Sequence, residues 1–137
     1  MKSRQSGFTM IELIVVIVVL GILAATALPK FIDMGSDAKT AALAGVVGAA
    51  GSAMAINYSG CAVVNNLPTA NKCVKVDNCN DLGTILQGGL PTGYTIADGA
   101  LGTGSAGSNG VEANCTITQT STSATGTFKG ISAGNDA

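Results

Sequence analysis

Two groups of residues in this chain have types and spacing that could do chemistry. One is a single acid, Glu12, inside a long apolar run; the other is four cysteines, Cys61, Cys73, Cys79 and Cys115, all downstream of that run. The 137 residues include no histidine, 11% are charged, and the net charge is −1. A general-base cluster and a nucleic-acid footprint are therefore both missing from the sequence. The other acids, such as Asp77, Asp81, Asp98 and Glu112, read as solvated loop residues, so an enzyme is the weakest reading and no cofactor or metal is expected. The cysteines admit two chemistries. Their spacings of 12, 6 and 36 contain no Cys-x2-Cys pair and no histidine that could complete a zinc site. An even number of cysteines in a small Gly- and Thr-rich segment reads instead as two disulfides made in an oxidising compartment. Three connectivities are open; the preferred one joins Cys61 to Cys73, closing a short loop around Pro68, and Cys79 to Cys115.

Glu12 raises a different question, because it stands where the chain is most apolar. Leu13 to Leu28 is sixteen residues without a charge, and from Phe8 to Leu28 Glu12 is the one ionisable side chain. As a helix that stretch reaches about 30 Å, the thickness of a bilayer's hydrocarbon core. Lys2 and Arg4 precede it and should stay cytoplasmic, sending the C-terminal end and the cysteines across. A cleavable secretory signal fits, with Ala25-Thr26-Ala27 as its cleavage site just before Leu28-Pro29. A permanent single-span anchor fits too. Neither explains an acid that costs about 3 kcal/mol at the centre of a membrane helix, and an acid so placed calls for a cationic partner.

Gly7-Phe8-Thr9-Met10-Ile11-Glu12-Leu13, after a short basic leader and before a Val/Ile/Leu run ending at Pro29, resembles the N-terminal signature of type IV pilins and pseudopilins. The resemblance covers Gly7 to Lys39. It implies that a prepilin peptidase removes a leader, Met1 to Gly7, and that the new N-terminus, Phe8, is N-methylated. The Phe8 ammonium then becomes the partner of Glu12, since one contact removes two desolvation penalties. In the family that pairing runs between neighbouring subunits; Phe8 and Glu12 are four apart, so pairing within one helix is also open. Glu12 in the first turn is favoured by the helix dipole as well. The resemblance further implies that the stretch from Gly21 to Pro29 loses helical hydrogen bonding in an assembled filament. Glycine and proline both weaken helix, although both are also tolerated in membrane helices.

Downstream, Leu43, Val46, Val47, Ala50 and Met54 recur at helical spacing with Asp37 and Lys39 off the stripe, so the helix is expected to continue to Tyr58 and to end at Tyr58-Ser59-Gly60. Gly45, Gly48 and Gly51 make this helix thin and would let the domain's own sheet approach its backbone. Cys61 to Cys79 reads as a loop. Asn80 could cap a short helix through Gln87 that Gly88-Gly89 stops. Tyr94 to Ala97, Val111 to Thr118 and Thr125 to Ile131 read as strands of an antiparallel sheet of three or four strands. Leu101 to Gly110 reads as a surface loop, and Phe128 as core. The expected fold is α+β, a long N-terminal helix packed by its second half on a small antiparallel sheet. Its segments are a leader over 1–7, a membrane or filament-core helix over 8–29, an amphipathic continuation over 30–58 and a disulfide-containing body over 59–137.

Three signals in the body have plain readings beside functional ones. Asn57-Tyr58-Ser59 and Asn114-Cys115-Thr116 match the N-glycosylation triplet, which is common by chance. Thr116 to Thr127 could carry O-linked sugar or simply face solvent on a strand pair. Five aromatics are too few for electron conduction along a filament.

The leading expectation is a structural subunit without catalysis. The resemblance implies that it waits in the bacterial inner membrane and is then packed with identical subunits into an extracellular filament for adhesion, motility or DNA uptake. Its partners would be those subunits, the prepilin peptidase and the assembly machinery. Pro29-Lys30-Phe31-Ile32 and the four-cysteine body most resemble type IVa pilins of the mannose-sensitive haemagglutinin kind. The alternatives are a pseudopilin of a type II secretion system and an exported disulfide-rich binding module that loses its first 27 residues.

Overall fold

The apolar run and its amphipathic continuation form one helix, α1, from Met10 to Val63. The computed structural model describes residues 7–136, apart from the side chains of Pro29, Phe31, Ile32 and Asp33. Lys2, Arg4 and the rest of the leader before Gly7 lie outside the described residues. The chain divides into two compact units, Met1–Ala38 and Lys39–Ala137.

The first unit holds the apolar half of α1. Its described side chains from Phe8 to Leu28 are all exposed, among them Phe8 at 88% and Met10 at 82%. A β-branched run is a mediocre helix former in water, but in lipid a helix is the form that satisfies every backbone group internally. The helix is continuous through Gly21 and Pro29.

The second unit builds the core. Leu43, Ala50 and Met54 of α1 are buried, Val46 and Val47 partly so, and they pack with Cys115, Ile117 and Phe128 of the sheet. Val76, Cys79, Leu82 and Leu101 complete the cluster. The sheet has strands β1 (Tyr94–Ile96), β2 (Glu112–Gln119) and β3 (Ala124–Ile131), antiparallel in the order β1-β2-β3. Alternation along β2 turns Cys115, Ile117 and Gln119 inward. The register sets Thr95 beside Thr118 beside Thr125, and Thr116 beside Thr127.

Close approach of helix and sheet comes from the sheet. A Cβ at Gly45, Gly48 or Gly51 would meet nothing within 4 Å, whereas one at Gly126 of β3 would stand 2.5 Å from Val47 Cγ2. The helical glycines therefore lie off the packed stripe, and the space is made by the strand. This corrects the expectation that the thin helix admits the sheet.

α1 also runs past its expected end. It does not stop at Tyr58-Ser59-Gly60, and Cys61 lies in its last turn. Gly60 is there for contact: a Cβ on it would fall on the Lys72 carbonyl, 2.2 Å away. Termination falls to Asn65 and Asn66, both at φ 55°, with the Asn66 amide returning to the Cys61 carbonyl at 2.7 Å, the αL closure of a helix C-terminus.

The short helix is capped by Asn78 rather than Asn80. The Asn78 side chain accepts from the Asn80 amide at 3.0 Å and Asp81 accepts from the Asn78 amide at 2.9 Å, a reciprocal capping box. A 3-10 turn, Cys79–Asp81, leads into α2 (Leu82–Ile85), which ends two residues earlier than expected. Gly88 and Gly89 follow at positive φ.

Leu101 to Gly110 is not a free loop. Leu101 is fully buried and its amide bonds the Asp77 carbonyl at 2.7 Å. The buried Asn135 side chain donates to the Ser108 carbonyl at 2.9 Å, holding the other end of the loop.

Candidate functional site

The stem begins with a cap. Gly7, Phe8 and Thr9 precede the helix in irregular backbone, and all three are exposed. With Met10 as the first helical residue, Thr9 is the N-cap and Glu12 the third residue. The Glu12 carboxylate accepts the Thr9 amide at 2.8 Å and the Thr9 hydroxyl at 2.8 Å, both on Oε2. The Glu12 amide points back to the Thr9 hydroxyl at 3.4 Å. This is a capping box that neutralises orphan donors of the first turn, and it holds the acid against the helix start.

No hydrogen bond joins Glu12 to Phe8 among the described residues. In the uncleaved chain the Phe8 nitrogen is a peptide amide and has no charge to offer. Oε2 carries both bonds from Thr9, and Oε1 has no partner among the described residues. A carboxylate offers about four acceptor positions, so Glu12 keeps capacity for one further donor. Thr9 is the functional residue that the sequence reading did not single out, and its signal is the Thr-x-x-Glu spacing ahead of an apolar run.

Met10–Leu28 is long and apolar enough to cross a membrane. Its one internal hydroxyl, on Thr26, is absorbed by the helix: Oγ1 donates to the Leu23 carbonyl at 3.0 Å and the Ile22 carbonyl at 3.2 Å. A Cβ at Gly21 would meet nothing within 4 Å. At Pro29 the helix continues although proline offers no amide hydrogen to the Ala25 carbonyl four residues back.

The cysteines are paired far from Glu12 in sequence. Cys61 is bonded to Cys73 and Cys79 to Cys115. The first bridge ties the last turn of α1 to a turn closed by the Thr69–Cys73 bridge. The second ties the 3-10 turn to β2 inside the main core. Asn57 reinforces the first bridge: its amide donates to the Val74 carbonyl at 2.8 Å and accepts the Val74 amide at 3.0 Å. Asn57 is buried, and Cys115 is bridged, so both glycosylation triplets have structural uses.

The family model for the prokaryotic N-terminal methylation motif matches residues 2–28. Among curated proteins, the chain is 36% identical over 108 residues to fimbrial protein Q of Moraxella bovis, a match spanning 74% of this chain and 65% of that protein. It is 47% identical over 53 residues to the type IV narrow pilus major component of Thermus thermophilus, spanning 39% of this chain and 46% of that protein. It is 42% identical over 53 residues to type II secretion system core protein G of Pseudomonas aeruginosa, spanning 39% of this chain and 37% of that protein. The chain thus spans less than two thirds of the length of each of these relatives. No solved structure matches it.

Proposed function

We propose that the chain is a type IV pilin, a structural subunit that polymerises through α1 into a pilus filament. The observation that carries this reading is the junction at the start of the stem: an exposed, non-helical Gly7-Phe8 step directly ahead of a capped apolar helix. A protease needs an extended, accessible bond, and a membrane helix needs its acid accounted for.

Cutting after Gly7 frees an ammonium on Phe8, which is then N-methylated. The acid Glu12 has one oxygen held by its own Thr9 and the other open. The open oxygen receives the ammonium of a neighbouring subunit while the cap stays closed, so Glu12 serves its own helix and its neighbour's N-terminus at once. In lipid both charges are expensive alone, which makes the pairing a check on register as each subunit joins.

Before assembly the apolar segment over 8–29, helical from Met10, anchors the subunit in the inner membrane, with Lys2 and Arg4 on the cytoplasmic side and the cysteines outside. After extraction the same side chains need a new apolar environment. Burial of each is worth about 1–3 kcal/mol, and a bundle of identical helices supplies it by head-to-tail, open assembly. The Gly21–Pro29 stretch is the part of the stem that yields in the filament, because it combines the least helix-favouring residues. The prepilin peptidase and a pilus assembly machinery are the partners this sequence of events requires.

Pilus rather than pseudopilus is favoured by the match to the Moraxella fimbrial protein. It covers 108 residues and so extends into the disulfide-bonded body, whereas the match to the secretion protein stops at 53. An exported binding module cut before Leu28 would leave Glu12 and its cap without purpose. Mass spectrometry of the mature protein tests the reading. N-methylated Phe8, with surface fibres that vanish on deletion, is the expected result; a mature chain starting at Leu28 would overturn it.

A further inference from the structure

A cleft of about 540 Å³ opens in the body between the second half of α1, the turn around Asn71-Lys72 and α2. Its lining is mixed, with Ala53, Ile56, Val74 and Ile85 forming an apolar floor beside polar Ser52 and Thr84, and Lys72 is the one charged side chain lining it. Ile56 is 72% exposed and Val74 38% exposed, so the cleft offers apolar surface to solvent. Lys72 has no ion pair among the described residues, in contrast to Lys75, which meets Asp77 at 3.2 Å, and Lys129, which meets Glu112 at 3.9 Å.

The acids show a matching vacancy. Glu12 is bonded to Thr9, Asp77 to Lys75, Asp81 to the amides of Asp77 and Asn78, and Asp98 to Asn78 and Asn80. Glu112 pairs with Lys129 and Asp136 accepts from Gly107. Among the acids whose side chains are described, Asp37 alone has no bonded partner. It is exposed on α1, and Met34, 59% exposed, precedes it by three residues. Positions three apart share a helix face, so that face presents one flexible apolar side chain and one carboxylate together.

We infer that the cleft receives Met34 and Asp37 of a second copy of this chain, with Met34 against Ile56 and Ile85 and Asp37 paired with Lys72. The inference rests on the filament reading, and it adds a contact between a stem and a neighbour's body to the contact at Glu12. The cleft's apolar floor complements Met34, its one cation complements Asp37, the one acid without a bonded partner among those described, and the two surfaces differ, as a head-to-tail assembly requires. Methionine suits the role because its thioether adapts to irregular gaps. Partial enclosure by the cleft would make the pair worth more than a surface ion pair.

Carbodiimide treatment of filaments from the unaltered full chain tests this, since it joins a carboxylate to an amine only where they touch. An Asp37–Lys72 peptide in ladder bands from filaments, missing from detergent-dispersed subunits, is the expected result. Intact filaments that give no such adduct would overturn the inference and leave the filament reading standing; no filaments at all would sink both. As a second measurement, Asp37→Lys and Lys72→Glu should each lower the yield of sheared filaments about tenfold, and the double variant should recover to within about threefold, the signature of a direct pair. Full yield in both single variants, or no recovery in the double, would also overturn it, and would leave the cleft to another occupant such as an amphipathic anion.

Discussion

The Glu12 carboxylate accepts the backbone amide and the hydroxyl of Thr9 on the same oxygen, each at 2.8 Å. The acid in the apolar stem is therefore engaged before any neighbour arrives, and Thr9 sets where its second oxygen stands. Thr9→Ser keeps the hydroxyl and should leave filament yield close to that of the parent chain. Thr9→Val keeps the shape and loses the cap, weakening the helix start by about 1 kcal/mol and lowering yield. Quantifying sheared filaments from the two variants checks this; equal yields would show that the hydroxyl has no role.

Glu12→Gln separates the cap from the charge. A glutamine oxygen can still accept from Thr9, so the helix start survives, but no anion remains for the ammonium that the proposed subunit pairing requires. Membrane insertion should be unchanged, and even easier in principle, since a neutral amide is less costly in lipid than a carboxylate. Filament yield should fall by at least about tenfold, the equivalent of about 1.4 kcal/mol. Membrane fractionation beside filament counts gives both readouts.

Legibility in the sequence followed the range of the interactions. The stem is local information: sixteen uncharged residues after Glu12 specify an apolar helix without help from the rest of the chain, although the Thr-x-x-Glu cap ahead of them went unread. The strands were readable for the same reason, and Tyr94–Ile96, Glu112–Gln119 and Ala124–Ile131 lie within a residue of their expected bounds. What the pattern could not carry was contact at long sequence separation. Gly60 reads as a helix stop, yet it is a contact glycine under the Lys72 carbonyl. Leu101 sits among Gly, Ser and Thr and reads as loop, yet it is core because Asp77 holds its backbone. Gly45, Gly48 and Gly51 look like a packing face, yet it is Gly126, 79 positions beyond Val47 in sequence, that closes on the helix.

Asn57 and Val74 make a two-point clamp, amide to carbonyl in both directions. Asn57→Ala would leave the Val74 amide and carbonyl without their partner at a partly buried site, a loss of about 2 kcal/mol for two hydrogen bonds. Asn57→Asp should be as damaging, because a carboxylate can accept from the Val74 amide but repels the Val74 carbonyl. Denaturant titration of the detergent-solubilised chain measures both. An aspartate variant as stable as the parent would show that the donor half of the clamp is unimportant.

Gly126→Ala inserts a methyl 2.5 Å from Val47 Cγ2. Overpacking of that kind costs about 1–3 kcal/mol. Val47→Ala alone should also destabilise, since it empties part of the contact. Together the two should be less damaging than their sum, because the space removed on one side is returned on the other. Stability of the two single variants and the double closes the cycle.

The two disulfides should differ in value. In the chain-entropy account the Cys79–Cys115 bridge, which spans 36 positions, is worth about 4 kcal/mol, and Cys61–Cys73, which spans 12, about 3 kcal/mol. Environment widens the gap. Cys79 and Cys115 belong to the main core, where Gly130 has no room for a Cβ because Cys115 Sγ would lie 2.6 Å from it. Cys61 and Cys73 sit in a small second cluster with Ala133, where the Asn57 clamp still holds the turn to the helix. Replacing Cys61 and Cys73 together by alanine should therefore leave a folded body with a lowered denaturation midpoint, while replacing Cys79 and Cys115 should cost more and loosen the sheet. Denaturant midpoints of the two double variants, beside hydrogen exchange at β2, order them; a smaller loss at Cys79–Cys115 would show that loop length and core burial do not govern this body's stability.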